Sequence, residues 1–462
     1  MKRIVPIVLA VALFMENMDS TVIATSLPVI ARDIGTSPIA LKLALTSYYV
    51  SLAIFIPISG RIADRYGAKR VFRIAIGVFI LGSLACATVT SLGGFVAARF
   101  LQGMGGAMMT PVGRLLLVRA VPKSDLVDAM AWFTIPALIG PLLGPPIGGA
   151  IATYADWRWI FLINLPIGIV GVFLAGRYLP KVQTIPSIRF DIPGFLLSGF
   201  ACAGLVFGLS VVSLPALPPW IGIVMAAAGL VSGVLFVAYA RRATDPLLRL
   251  KLLKVPTLRA AITGGTLFRI GSGAVPFLLP LMLQLGFGYT PLQSGLITCV
   301  SIGGALMMKF LAKPILNRFG FRLTLVATAL IGGGMTMMIG LFRPEWPVAI
   351  VIALLLVGGF FRSLFFTSVN ALAFADLTNR DAGDATAMMG AIQQVSIATG
   401  VALAGGVLEL AMTMGGRDQV GTADFSLAFM VVGAVTAAAV IAFVRLSADA
   451  GDEVAGRRAA AQ

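Results

Sequence analysis

Long runs of apolar residues, separated by short segments rich in charge, proline or glycine, make up most of the 462-residue chain. A helix that crosses the hydrocarbon core of a bilayer needs about 20 mostly apolar residues, and these runs reach that length. The pattern therefore predicts an all-α membrane protein with about fourteen transmembrane helices. We place the helices near residues 4–29, 43–63, 71–89, 93–118, 129–153, 158–178, 192–214, 219–240, 257–286, 292–316, 322–342, 347–375, 383–412 and 425–446.

A short polar string recurs in the two halves of the chain. Ile62–Gly67, which reads IADRYG, aligns with Ile315–Gly320, which reads ILNRFG, and each string lies between two apolar runs. An internal repeat of this kind predicts two bundles of about six helices, with the two remaining helices inserted between them. The predicted units are an N-terminal bundle at 1–185, a two-helix insertion with a linker at 186–250, a C-terminal bundle at 251–446 and a tail at 447–462.

Basic residues are concentrated in alternate connecting segments. The chain has 35 Lys and Arg against 19 Asp and Glu, and most of the basic residues fall in segments that share one side of the membrane with the N-terminus. Because Lys and Arg mark cytoplasmic loops, this distribution predicts a multi-pass protein of the cell membrane with both termini in the cytoplasm. It also argues against a nucleic-acid partner, because the charge does not gather on one soluble face.

Several kinds of chemistry are missing from the sequence. Histidine is absent, and Cys86, Cys202 and Cys299 each lie inside an apolar run, so neither a metal site nor a disulfide framework is indicated. No phosphate-binding loop or histidine-based triad is present, which argues against an enzyme. We therefore expect no cofactor, with an ion gradient as the energy source, and proton transfer by carboxylates.

A charged turn follows the second predicted helix. The string Gly60–Arg70, GRIADRYGAKR, resembles the signature loop of the major facilitator superfamily, although Ala68 replaces a usual basic residue. The resemblance implies a major facilitator fold in which this turn latches neighbouring helices and gates the cytoplasmic side. The residues expected to do so are Gly60, Asp64, Arg65, Gly67 and Arg70. Asn317 replaces the acidic residue in the second copy, so a weaker second latch is expected there.

The fifth predicted helix contains a run of glycine and proline, GPLLGPPIGG, at residues 140–149. Glycines at a spacing of four permit close contact between helices, and prolines bend them. The run resembles the antiporter motif of drug-exporting facilitators and therefore implies export. Its motif residues are Gly140, Gly144, Pro145, Gly148 and Gly149.

Three further strings narrow the resemblance. Met18–Pro28 resembles the first-helix signature of the fourteen-span drug:proton antiporters, the DHA2 family, and Trp157–Pro166 is similar to the same family. Pro276–Gln284 resembles the HsrA/EmrB-like branch of that family.

In the fourth helix, Arg99 lies in RFLQGMGG, which resembles the proton-transfer arginine motif. A guanidinium inside a membrane helix is costly, so Arg99 should face an acidic partner or a wet cavity.

Glu16 and Asp19 share one face of the first helix near the middle of the bilayer, because they are three residues apart. Burial disfavours the charged form of a carboxylate, so either residue could take up a proton. Asp19 has the stronger case as proton carrier, because it lies in the family signature. The repeat places Glu16 opposite Arg269, which predicts that this pair meets across the two halves and keeps Glu16 ionised.

Polar residues of the second half are candidates for the substrate path. They are Arg269, Arg362, Asn370, Gln393 and Gln394. Together these features predict a secondary active transporter, a proton-coupled antiporter that exports drugs or other amphipathic small molecules, cationic ones included, by alternating access. Two alternatives remain: a facilitator of the same fold that exports a lipid, siderophore or metabolite, and a membrane receptor or scaffold, which would not need buried charge in both halves.

Overall fold

Helices account for nearly all of the described chain, and they follow the predicted apolar runs. The computed structural model describes residues 4–121, 126–180, 184, 190–212, 214, 217–378, 381–417, 419–447 and 450–451. The helices are α1 (Ile4–Val22), α2 (Leu27–Asp33), α3 (Lys42–Tyr66), α4 (Ala68–Thr88), α5 (Leu92–Ala120), α6 (Leu126–Tyr154), α7 (Trp159–Leu162), α8 (Asn164–Tyr178), α9 (Ile192–Val212), α10 (Pro219–Arg242), α11 (Pro256–Leu281), α12 (Pro291–Ile339), α13 (Val348–Phe374), α14 (Ala382–Met414), α15 (Thr422–Ala438) and α16 (Val440–Val444). We call α1–α8 the first half, α9–α10 the insertion and α11–α16 the second half.

The repeated string forms the same sharp turn in both halves. Gly67, between α3 and α4, has a φ of 91°, and Gly320, inside α12, has a φ of 72°. Such backbone angles are easily reached only by glycine, because other residues carry a Cβ. The turn at Gly320 divides α12 into two helices, just as Gly67 separates α3 from α4.

Twelve helical segments of the described chain are long and apolar enough to cross a membrane. They are 4–33, 42–66, 68–88, 159–178, 192–212, 219–242, 256–286, 291–309, 311–339, 348–374, 382–414 and 422–444. This confirms the predicted all-α membrane protein. α5 and α6 are not among the twelve, although each has 29 residues. The count of fourteen requires both to cross as well, and it stays a prediction.

The two halves share one apolar cluster at one end of the molecule and have separate clusters at the other. The shared cluster contains Phe161 of the first half and Leu281 of the second. Towards the other end, the cluster around Phe72 belongs to the first half alone, and the cluster around Phe365 belongs to the second half alone. We call these the closed end and the open end. α1 begins at the open end, where both glycine turns also lie.

The insertion packs against the seam between the halves. α9 and α10 approach closely at Gly204 and Gly229, where an added Cβ would meet the facing backbone. Val206 of α9 packs with Val50 of α3 and Ala398 of α14, so it contacts both halves. The predicted boundary between the first two units, at 185–186, and most of the predicted tail at 447–462 lie outside the described residues.

Candidate functional site

Asp19 lies at the centre of a fully buried polar cluster in the first half. Its Oδ2 accepts a hydrogen bond from Nη1 of Arg99 at 2.7 Å, and its Oδ1 accepts bonds from Gln102 and Asn164 at 2.8 Å each. The Arg99 guanidinium also lies over the ring of Tyr48, 4.3 Å from its centroid. Asp19 is 0% exposed and Arg99 is 1% exposed. The Asp19 carboxylate is thus held by one cation and two amides.

The cluster joins four helices of the first half. Ser83 of α4 accepts a hydrogen bond from Gln102 of α5 at 2.7 Å and one from Asn164 of α8 at 3.3 Å, while Asp19 comes from α1. Gln102 fits against α4 because Gly82 has no side chain. A Cβ added at Gly82 would lie 2.5 Å from the Cα of Gln102. Buried polar groups need partners, so this network holds the four helices at one spacing.

Glu16 lies one helical turn before Asp19 but has a different environment. Its Oε2 accepts a hydrogen bond from the Thr110 hydroxyl at 2.7 Å, and its side chain is partly exposed. Among the described residues, no Lys or Arg forms an ion pair with it. Glu16 is therefore the carboxylate of the pair that lacks a compensating cation.

The predicted contact between Glu16 and Arg269 is not formed in this conformation. Arg269 donates a hydrogen bond from Nη2 to Oδ1 of Asn370 at 3.2 Å, and its guanidinium lies 5.2 Å from the ring centroid of Phe366. Both neighbours belong to α13 of the second half, whereas Glu16 contacts Thr110 of the first half. Each of the two side chains thus contacts a neutral partner within its own half.

The candidate path residues of the second half fall into two groups. Arg269, Arg362 and Asn370 lie together, because Arg362, Phe366 and Asn370 occupy successive turns on one face of α13. Arg362 donates to the Ser301 hydroxyl at 3.3 Å.

The second group is the glutamine pair of α14. Gln393 and Gln394 are partly exposed, and no hydrogen bond of the described residues joins them to α13. The side-chain oxygen of Gln394 is buried without a hydrogen-bond partner among those residues.

The predicted gating turn makes contacts within the first half, with Phe190 before α9 and, through an ion pair of Arg61 with Asp245 at 3.3 Å, with the linker after α10. Asp64 forms an ion pair with Arg119 of α5 at 2.8 Å, which ties the end of α3 to the end of α5. Arg65 lies 4.9 Å from the ring centroid of Phe190, and Arg70 lines a surface cavity beside Gly67. Around Gly60, a Cβ would find open space.

The glycines of the antiporter motif form the surface of α6 that faces α1. A Cβ at Gly140 would lie 2.9 Å from the Phe14 carbonyl, and Cβ atoms at Gly144 and Gly148 would collide with Thr21 and Val22. α1 and α6 therefore pack backbone to backbone along the stretch that carries Glu16 and Asp19.

The end of the same motif reaches the second half. A Cβ at Gly149 would collide with the Pro291 carbonyl of α12, and a Cβ at Gly295 of α12 would collide with the carbonyl of Pro145. Close approach of α6 and α12 thus contributes to the closed end.

Some polar residues of the site were not predicted from the sequence. Gln102 lies in the RFLQGMGG string, and Asn164 lies in Trp157–Pro166. A side-chain amide inside an apolar helix is a sequence signal of a buried polar network. Lys42 lies just before the second predicted helix, yet it is 0% exposed and packs along Gly405 of α14. This contact joins the two halves at the closed end, and only the tertiary structure brings it together.

Comparisons with known proteins give one consistent result. The family profile described as Major Facilitator Superfamily matches residues 9–194 and 261–461. The chain is 38% identical over 418 residues to the multidrug resistance protein MdtD of Salmonella heidelberg (strain SL476), covering 90% of this chain and 87% of that protein. The MdtD protein of Salmonella typhi is similar to the same extent, with 38% identity.

Two solved structures share the fold. A D-xylose–proton symporter superimposes with a TM-score of 0.69 at 16% identity, covering 97% of this chain and 98% of that one. A POT family transporter in complex with 5-aminolevulinic acid gives a TM-score of 0.68 at 16% identity, covering 95% and 94%. At such identities the likeness concerns the fold alone.

We expect Asp19→Asn to destabilise the protein by about 3–5 kcal/mol, because it leaves the Arg99 charge buried without a counter-ion. Thermal unfolding in a mild detergent measures this. A double variant, Asp19→Asn with Arg99→Gln, should lose less than the sum of the two single variants. Asp33→Asn is the matched control, because Asp33 also pairs with an arginine, Arg158, at 2.9 Å, but in a partly exposed position. Equal unfolding temperatures for the Asp19 and Asp33 variants would contradict the prediction.

We expect Gly148→Val to prevent α1 from packing on α6, because the new side chain would overlap the Val22 carbonyl. The expected result is a large loss of folded, monodisperse protein in fluorescence-detected size-exclusion chromatography. Gly77→Ala is the control, because a Cβ at Gly77 meets nothing within 4 Å. That variant should behave as wild type, and similar profiles for both variants would show that the close contact is dispensable.

Proposed function

The chain belongs to the major facilitator superfamily, and we propose that this multi-pass transporter of the bacterial inner membrane exports drugs or other amphipathic small molecules in exchange for protons. Its family makes it a transporter and not an enzyme. The observation that supports proton coupling is Glu16, a partly exposed carboxylate in the first helix that has one hydroxyl donor and, among the described residues, no ion pair with a Lys or Arg. The proton gradient then supplies the energy, and no cofactor is needed.

The two acidic residues have unequal roles in this proposal, and the ranking differs from the one expected from the sequence. Asp19 is the structural partner of Arg99, because Arg99, Gln102 and Asn164 all donate to its carboxylate. Protonation of Asp19 would leave the buried Arg99 guanidinium without a counter-ion, which is energetically unfavourable. Glu16 exchanges the proton, because its charged form has little compensation in a low-dielectric site. Arg99 serves as the fixed counter-ion that positions α1.

The arrangement of the halves supports alternating access. The open end gives a substrate a route between two separately packed halves, while the closed end blocks the opposite side with the shared apolar cluster. Opening the other way would require Lys42 to separate from Gly405 and Gly149 to separate from Pro291. Rocking of two preformed bundles achieves this with little change inside either bundle.

Orientation follows from charge in the proposal. The open end carries the loops rich in Lys and Arg, so it faces the cytoplasm, together with both termini. The described conformation is then the inward-facing state, in which Glu16 releases its proton and substrate enters. Substrate binding and loss of the proton favour the same state, and this linkage is what couples export to proton uptake.

The proposal is tested with purified protein in proteoliposomes that contain a pH-sensitive dye. A pH gradient is imposed, and cationic, neutral and anionic amphipathic drugs are added one at a time. A drug that the wild-type protein transports should change the lumenal pH that the dye reports, because protons move in exchange for it. Glu16→Gln should abolish this coupled flux but retain substrate exchange, because Gln keeps the bond from Thr110 and cannot titrate.

Glu345→Gln, in an exposed loop, is the control and should couple normally. Full proton coupling in Glu16→Gln would exclude Glu16 as the carrier. A wild-type protein that moves no protons with any member of the panel would exclude the antiport mechanism itself.

A further inference from the structure

Two basic side chains of the second half line one cavity, and a third, Arg269, is hydrogen-bonded to an asparagine of its wall. Arg362 and Lys309 line a cavity of about 270 Å³ between α12 and α13, and Asn370, which also lines it, accepts the hydrogen bond from Arg269. Among the described residues, no carboxylate forms an ion pair with any of the three. Neutral groups alone contact the two guanidinium groups: Asn370, Ser301 and the ring of Phe366.

The first half shows what a compensated arginine looks like in this protein. There, Arg99 is neutralised by Asp19 in direct contact. Arg269 is 6% exposed, nearly as buried, yet it has a single amide acceptor. Its guanidinium fits because Gly265, one turn earlier on α11, leaves room: an added Cβ would lie 2.7 Å from Nη1. A buried cation with neutral neighbours is unfavourable unless something else brings a negative charge to it.

The residues that line the cavity indicate the chemistry of a ligand that would supply the negative charge. Ile302, Leu306 and Phe366 supply an apolar surface, and the polar lining is confined to Lys309, Arg362, Ser363, Thr367 and Asn370. Because Oδ1 of Asn370 accepts from Arg269, the remaining Nδ2 group is a donor. The lining thus combines hydrogen-bond donors and positive charge with apolar contact, and it has no acidic group among its described residues.

We propose that this cavity binds the anionic headgroup of an amphipathic molecule, a carboxylate or phosphonate on an apolar body, and that such anions are substrates of the exporter. Arg362 and Lys309 contact the anionic oxygens, since guanidinium and ammonium groups form the strong, charge-assisted hydrogen bonds that carboxylates and phosphonates accept. Arg269 is a positioning residue, because it holds the Asn370 amide. The substrate claim rests on the proposed export function, whereas the binding claim does not.

Anion export also fits the direction of proton exchange. A proton that enters and an anion that leaves both move positive charge inward, so a membrane potential that is negative inside drives both steps. A cationic substrate would move its own charge against that potential. Glu16 lies in the first half and the basic cavity lies in the second half. In this proposal, the proton and the anionic substrate therefore bind at separate sites.

The test uses three compounds with the same ring and chain: phenylbutyrate, phenylbutylamine and phenylbutanol. Purified full-length protein in an uncharged detergent is titrated with each, and binding is measured by calorimetry and by the shift in unfolding temperature. Phenylbutyrate should bind best. Arg362→Gln should weaken its binding about tenfold or more, the effect expected for losing a charge-assisted hydrogen bond. Arg269→Gln should weaken it less, and Arg269→Lys should restore part of the loss.

Arg343→Gln is the matched control, because Arg343 contacts backbone carbonyls near the closed end and should leave phenylbutyrate binding unchanged. Equal binding of the alcohol or amine, unchanged binding in Arg362→Gln, or no binding of phenylbutyrate would overturn the proposal. Phosphatidylglycerol that competes with phenylbutyrate through Arg362 would identify a lipid as one natural source of the anion. Because binding is measured without a pH gradient, this result is independent of whether Glu16 carries a proton.

Discussion

The buried ion pair between Asp19 and Arg99 is the interaction on which the first half depends. Neither charge can reach water, and the two amides of Gln102 and Asn164 complete the donors around the carboxylate. A pair of this kind contributes little to stability compared with apolar residues of the same size, but its geometry is strict, because any misplacement leaves a charge uncompensated. It therefore fixes the position of α1, and with it the position of Glu16, one turn away.

Glycine controls the distances between helices that this polar cluster requires. Along α6, the absence of side chains lets α1 approach until backbones touch, and at Gly149 the same helix touches α12 of the other half. The antiporter-like motif thus has two packing roles, one inside the first half and one across the closed end. Membrane helices gain no hydrophobic driving force from meeting each other, so such close contact is a main source of their association.

The two halves share a backbone plan but differ in charge. The glycine turns at Gly67 and Gly320 are equivalent, yet the first half neutralises its buried arginine internally, while the second half leaves Arg269 and Arg362 with neutral neighbours. In our proposals, this difference corresponds to proton exchange in the first half and anion recognition in the second.

The sequence by itself determined the membrane helices, the repeat with its glycine turns, and the family, because hydrophobic length, glycine conformation and motif strings are local properties. It also identified Asp19, Arg99 and Glu16 as candidates. Only the tertiary structure decided their partners: Asp19 meets Arg99 across two helices, Glu16 meets Thr110 and not Arg269, and Lys42 is buried against α14. Which side chains meet depends on helix rotation and on which end of the molecule is closed, and neither is encoded in any single stretch of the chain.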